Sequence, residues 1–369
     1  MADFMMIDNM SEAKPGGFRS LYEMVQQAED RMVKGEWELI SQGAASGATV
    51  RRNRLGFESL AFRQRVLRDV SGLDISTTLL GHTLTMPVMI CPMGGLHLTV
   101  GPDAILNAAR AAATVGIPIA TSSAVEPAIE VIGPSTDGVK FYQLYISGDA
   151  AFLSERIGRA KAAGYRAIII TADAPLFSIR DYPNKSRNFR LPAKESGKEY
   201  GAKATWDTLN EIKRLAAPLP VILKGIQTPD DAAIAIEHGI DAIVVSNHGG
   251  RELDHCDATI AMLPEIAATV AGRIPVLLDS GIRRGTDVVK ALALGADAVG
   301  IGRLAAWSMA AGGEPAVQRM LEILGAEIGN TMGLLGVSSI GELNASYVKP
   351  VPPLAGYHPV FRLPGIEPV

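Results

Sequence analysis

From about residue 84 to about residue 310 one unit recurs eight times: a short apolar run ending in small or polar residues, then a longer segment with helical spacing. The runs are Met86–Ile90, Ile117–Ala120, Val139–Tyr145, Ala167–Thr171, Pro220–Leu223, Ala242–Val245, Pro275–Leu278 and Ala298–Ile301. Most are short and rich in Val and Ile, as strands buried on both faces are. Between them, Ala104–Val115 is Ala-rich and free of Pro, and Asp149–Ala163 alternates charge with apolar residues at helical spacing. Pro229–His238 opens on Pro-Asp-Asp and stops at Gly239, and Arg284–Leu294 stops at Gly295. Pro at the start of a helix and Gly just past its end are the usual punctuation. Alternating strands and helices imply a parallel sheet, and eight units close an α/β (β/α)8 TIM barrel.

The 369 residues are expected to form a single domain 1–369 built on a barrel core of about 84–310. An N-terminal extension 1–83, helical over Phe18–Lys34, caps the lower end of the barrel or flanks its mouth. Residues 174–216, after strand 4, are too long for one connection and carry Lys185, Arg187, Arg190, Lys194, Lys198 and Lys203. A mobile lid is expected there. The tail spans 340–369, and its six prolines within Lys349–Val369 make that part expected to be extended and to wrap another surface.

Composition narrows the class. Hydrophobic residues make up 47% of the chain, ample for a large core. A net charge of −4 gives no general attraction for nucleic acid or anionic membranes, so any anion site must be local. No stretch has the roughly 18 uncharged apolar residues of a membrane span, and Met1–Lys14 does not resemble a signal peptide. Cys91 and Cys256 cannot build a disulfide framework and suit a reducing compartment, so a cytoplasmic location is expected.

Barrels of this kind place their active sites at the C-terminal ends of the strands. There the sequence sets Ser122 and Ser123, Gln143 and Tyr145, Thr171 and Asp173, Lys224, Ser246-Asn247-His248, Asp279, and Gly302-Arg303. Asp279-Ser280-Gly281-Ile282-Arg283-Arg284-Gly285 and Gly300-Ile301-Gly302-Arg303 follow the last two strands. Glycines admit backbone N–H groups to an anion and arginines fork onto phosphate oxygens, so a phosphate site is expected; the alternative is turn glycines beside surface arginines. Lys224 either stabilises a developing negative charge or pairs with a neighbouring carboxylate. His248, before two glycines and three residues from Arg251, suits a base that shares a substrate with a carboxylate-binding cation. His82, His97, His238, His255 and His358 lack this setting and are expected to be structural or surface residues, His97 being the weak exception.

At these residues the chain resembles the FMN-dependent 2-hydroxy-acid oxidases and dehydrogenases, over roughly residues 35–340. The most specific pieces are Ser246-Asn247-His248-Gly249-Gly250-Arg251 and Asp279-Ser280-Gly281-Ile282-Arg283-Arg284-Gly285-Thr286-Asp287, supported by Gln143-Leu144-Tyr145, Thr171-Ala172-Asp173 and Leu223-Lys224-Gly225. The resemblance implies FMN as cofactor, a small 2-hydroxy acid as substrate and a homotetramer. It implies His248 as catalytic base paired with Asp173, Arg251 and Arg180 on the substrate carboxylate, and Tyr145 on the substrate. For the cofactor it implies Ser122, Gln143, Thr171, Ser246 and the backbone at Pro92, Met93 and Gly94 around the ring. It also implies Lys224 by the N1/O2 edge, Asp279 on the ribityl chain, and Gly281, Arg283, Gly302 and Arg303 on the phosphate.

Three departures stand out. Leu39, four residues before Gly43, occupies the place of a carboxylate-binding tyrosine; the lid is shorter than in most relatives; Glu252 replaces a glutamine. With Leu39, Ile40, Met93 and Leu96 near the mouth, an apolar substrate side chain is expected in preference to glycolate. The competing functions are the same flavin chemistry on a linked hydroxy or amino group, an FMN-dependent barrel isomerase, and a non-catalytic phosphate- or flavin-binding barrel. Oxygen, a quinone or a carrier protein could each take the electrons.

Overall fold

A computed structural model of the chain describes residues 17–125, 127–180 and 197–352. Eight parallel strands form a closed barrel. They are β1 (Val88–Ile90), β2 (Ile119–Ser122), β3 (Lys140–Leu144), β4 (Ala167–Thr171), β5 (Val221–Ile226), β6 (Ala242–Val245), β7 (Val276–Leu278) and β8 (Ala298–Ile301). All eight lie within or across the expected runs. Closure comes from β8 pairing with β1, Ile301 opposite Ile90. Side chains alternate across each strand. Met89, Phe141, Ala167, Ile169, Ile222, Val244 and Leu277 fill the interior, while Val88, Ile90, Tyr142, Leu144, Ile168 and Ile170 face the surrounding helices.

The N-terminal extension works at both ends of the barrel. A hairpin of Thr77–Leu79 and His82–Leu84 sends Leu79 and Leu84 into the interior cluster. Helices α1 (Leu21–Arg31), α2 (Lys34–Ser41) and α3 (Ala48–Glu58) precede it. The end of α2 reaches the mouth: the Ala44 N–H donates to the Gly250 carbonyl at 2.8 Å. Gly43 is required at this approach, because a Cβ there would stand 2.6 Å from the Gly250 oxygen.

The outer helices include α4 (Ala104–Val115), α5 (Ala150–Ala162), α6 (Trp206–Ala216), α7 (Pro229–Glu237), α8 (Thr259–Val270), α9 (Gly285–Ala293) and α10 (Arg303–Leu335). Asp149 caps α5 and Thr228 caps α7, each accepting a first-turn N–H. One boundary needs correction. Residues 206–216, counted within the lid, are the barrel helix α6. Its Leu209, Ile212 and Ala216 form one buried stripe, and it packs on α5. Lid residues 181–196, with Lys185, Arg187, Arg190 and Lys194, and the tail from 353 lie outside the described residues. Before that point Val348–Pro350 pairs antiparallel with Leu60–Phe62.

Candidate active site

The C-terminal ends of the strands surround a cavity of about 320 Å³. Its lining includes Pro92, Met93, Gly94, Gln143, Tyr145 and Thr171. It also includes Lys224, His248, Arg180 and Arg251, and Asp279, Gly281, Arg283, Gly302 and Arg303. Three expected site residues stand directly behind it. The Ser122 hydroxyl donates to Gln143 Oε1 at 2.7 Å. Ser246 Oγ accepts from Lys224 Nζ at 2.9 Å and from the His248 N–H at 3.1 Å. Asp173 lies 2.9 Å from His248 Nδ1. The structure thus brings the whole expected set together.

Electrostatics divide the cavity. Burial raises the Asp173 carboxyl, but the Lys224 charge and the His248 hydrogen bond outweigh it and hold the group below the usual carboxylate range. Burial likewise opposes the Lys224 ammonium, yet Asp279, 3.6 Å away, and Asp173 raise its pKa. The expected carboxylate partner of Lys224 is Asp279, and the buried ammonium also lines the cavity. Arg251 is pushed down by burial and then by the Arg180 and Arg303 charges. Burial and Arg180 lower Arg303 to about 10. Three mutually repelling guanidiniums in one cavity call for anions.

What holds two of them was not readable from the sequence. Arg251 Nη1 donates to the carbonyls of Leu39 (2.7 Å), Gln42 (3.2 Å) and Ile40 (3.3 Å). Arg303 donates to those of Ile40 and Gln42, both at 3.0 Å. These carbonyls close the C-terminal turn of α2, the negative end of the helix. Leu39 offers its backbone to Arg251 and no hydroxyl to a substrate. Two residues of α3 were also missed. Asn53 exchanges hydrogen bonds with Asn247 at 2.8 and 2.9 Å. Arg54 forks onto Asp287 at 2.7 and 3.0 Å and reaches the Gly281 carbonyl at 2.9 Å. Asp287, in the first turn of α9, was the available signal, since an acid there usually has backbone or basic partners.

Residues 28–350 match the FMN-dependent dehydrogenase family. The chain belongs to the FMN-dependent dehydrogenase family. Similar proteins include glycolate oxidase 3 of Arabidopsis thaliana, 37% identical over 89% of this chain and 94% of the relative. An L-lactate oxidase of Nostoc is 38% identical over 89% and 97% of the two chains. A crystal structure of mandelate oxidase with (S)-2-phenylpropionate superposes with a TM-score of 0.82 at 34% identity, covering 91% of this chain and 99% of that one.

This family member is therefore an oxidoreductase with FMN as its cofactor, and the cavity fits that group. Gln143 Nε2 is buried at the cavity with no hydrogen-bond partner among the described residues, a donor that a polar ring edge would satisfy. Lys224 supplies a buried positive charge, and Gly281, Gly302, Arg283 and Arg303 form an edge suited to phosphate. Among the described residues no helix is long and apolar enough to cross a membrane.

Proposed function

We propose that this chain oxidises a small L-2-hydroxy acid with an apolar side chain to the 2-oxo acid, with His248 as base. The observation that carries the proposal is the His248–Asp173 hydrogen bond facing the same cavity as Arg180 and Arg251. Relatives named glycolate oxidase, (S)-2-hydroxy-acid oxidase and L-lactate oxidase support it.

The substrate carboxylate would sit between Arg251 and Arg180, where an anion relieves their repulsion. Asp173 takes His248 Nδ1, which leaves Nε2 to accept a proton from the substrate hydroxyl or α-carbon. Asp173, held anionic, then stabilises the imidazolium. FMN, when bound, supplies the two-electron acceptor for the α-carbon. Ser122, Gln143, Thr171, Ser246 and the backbone of Pro92, Met93 and Gly94 would hold the ring. Lys224 would lie by its N1/O2 edge, Asp279 on the ribityl chain, and Gly281, Arg283, Gly302 and Arg303 on the phosphate. Leu39, Ile40, Met93 and Leu96 line the cavity and favour an apolar side chain.

Tyr145 donates to the substrate in this scheme. Burial, opposed by the Lys224 charge, pushes its phenol up to about 12. The folded chain therefore binds this proton more tightly than an unfolded one, whose phenol titrates near ~10. The donor persists below that range and is lost as pH rises through about 12. Tyr145→Phe lowers kcat/KM by about 5–30-fold. The ratio to wild type stays constant from about pH 7 to 10, which parallel pH profiles check.

The test of the reaction is anaerobic mixing with glycolate, L-lactate, L-2-hydroxyisocaproate and L-mandelate, followed by oxygen. Flavin bleaching faster with the larger acids than with glycolate is expected. Fastest bleaching by glycolate overturns the apolar pocket, and no bleaching by any acid overturns the substrate class. The second reading, a linked hydroxy or amino substrate, is favoured by Leu39 and by Glu252, a carboxylate in the cavity wall; it predicts that last outcome. Net bleaching excludes an isomerase. Oxygen is the proposed acceptor, with a quinone or carrier protein as alternatives that the oxygen step separates. A cytoplasmic homotetramer completes the proposal, checked by fractionation and light scattering; relatives named peroxisomal make the peroxisome the competing location.

A further inference from the structure

Seven described residues other than glycine hold a positive φ, and two of them, His248 (φ +57°) and Ser280 (φ +76°), stand at the cavity. Gly249 and Gly250 continue the left-handed run at +66° and +70°. Glycine would hold such a conformation at position 280 without strain, so the serine must contribute something that offsets it. Its side chain shows what that is. The hydroxyl donates to Asp279 Oδ1 at 2.8 Å and accepts the Gly249 N–H at 2.9 Å.

These bonds close a ring across three strand ends. Asp279 Oδ2 faces Lys224 Nζ at 3.6 Å, Lys224 donates to Ser246 Oγ at 2.9 Å, and Ser246 Oγ accepts the His248 N–H at 3.1 Å. Two consecutive backbone N–H groups, of His248 and Gly249, thus end on hydroxyls that the Lys224–Asp279 pair anchors. Lys224, Ser246, Asp279 and Ser280 are all buried. Buried networks with every member satisfied rigidify their surroundings.

We propose that Ser280 is a positioning residue that fixes the backbone of the His248 turn to the cofactor-facing carboxylate Asp279. The proposal rests on His248 being the base. Through this ring the imidazole keeps its aim at the substrate, and a group bound at Lys224 and Asp279 is mechanically coupled to the base.

Ser280→Gly keeps the φ and removes the hydroxyl; Ser280→Ala removes the hydroxyl and keeps the strain. Both hydroxyl hydrogen bonds are lost, and the one to the Gly249 N–H bears on the turn: in both variants kcat for flavin reduction falls about tenfold, with KM within about twofold. In both substrate-free holoenzymes the segment 246–251 exchanges amide hydrogens faster than in wild type. Ser280→Gly nevertheless melts no lower than wild type, so the defect does not follow stability. Wild-type exchange in Ser280→Gly overturns the proposal, as does a defect confined to Ser280→Ala, which would assign the effect to strain. The exchange measurement needs no substrate, so it decides this point even if every hydroxy acid fails to bleach the flavin.

Discussion

Replacing His248 by glutamine lowers the rate of anaerobic flavin reduction by about 10²–10⁴-fold, the range for losing a well-placed general base. Glutamine keeps an N–H for Asp173 and keeps roughly the volume of the ring. It has no basic lone pair to offer in place of Nε2. The residues proposed to hold FMN lie on other strand ends, apart from Ser246, so the variant retains its flavin absorbance. Stopped-flow reduction with the best acid of the panel checks this. A loss smaller than tenfold with flavin fully bound would falsify the assignment of His248 as base.

The second large effect is structural. Arg54→Ala leaves the Asp287 carboxylate, whose side chain is 1% exposed, without its guanidinium. Breaking a buried pair from one side costs about 3–5 kcal/mol. The Arg283 and Arg284 N–H groups, at 3.0 and 3.2 Å, still donate to Asp287 and place the cost toward the lower end. Melting falls by roughly 4–6 °C. FMN affinity falls as well, because Arg54 also holds the Gly281 carbonyl in the proposed phosphate loop. Calorimetry of apoprotein and holoprotein separates the two losses. Arg54→Lys recovers little, since an ammonium cannot span both carboxylate oxygens and the carbonyl. A variant that melts within 1 °C of wild type and binds FMN equally well would remove Arg54 from this role.

What the sequence made legible followed from short-range rules. The eight strands declared themselves because each is a brief apolar run bounded by turn residues, and the polar residues collect at one end of the run. His248, Lys224, Asp279 and Arg303 were identifiable from that end alone. Helix α6 was misassigned to the lid because Lys, Arg, Asp and Glu on its outer face mask the stripe Leu209, Ile212 and Ala216. That stripe has helical spacing and could have been found. Asn53 and Arg54 could not. Their partners Asn247 and Asp287 are 194 and 233 residues away, and only closure of the barrel brings them together. Ser280 sat within a quoted motif, but its φ and its bond to Gly249 belong to three dimensions.

The pairing of Leu60–Phe62 with Val348–Pro350, together with these long-range bonds from α3, sets an order of events during synthesis. A ribosome delivers the extension first and its partners last. Strand Leu60–Phe62 must wait for nearly the whole described chain before it finds its mate, and Arg54 must wait for Asp287. Such distant pairings are slow to form. The nascent extension, with Trp37, Ile40, Val50 and Phe57 destined for burial, spends that interval uncovered and is the segment a chaperone would meet first.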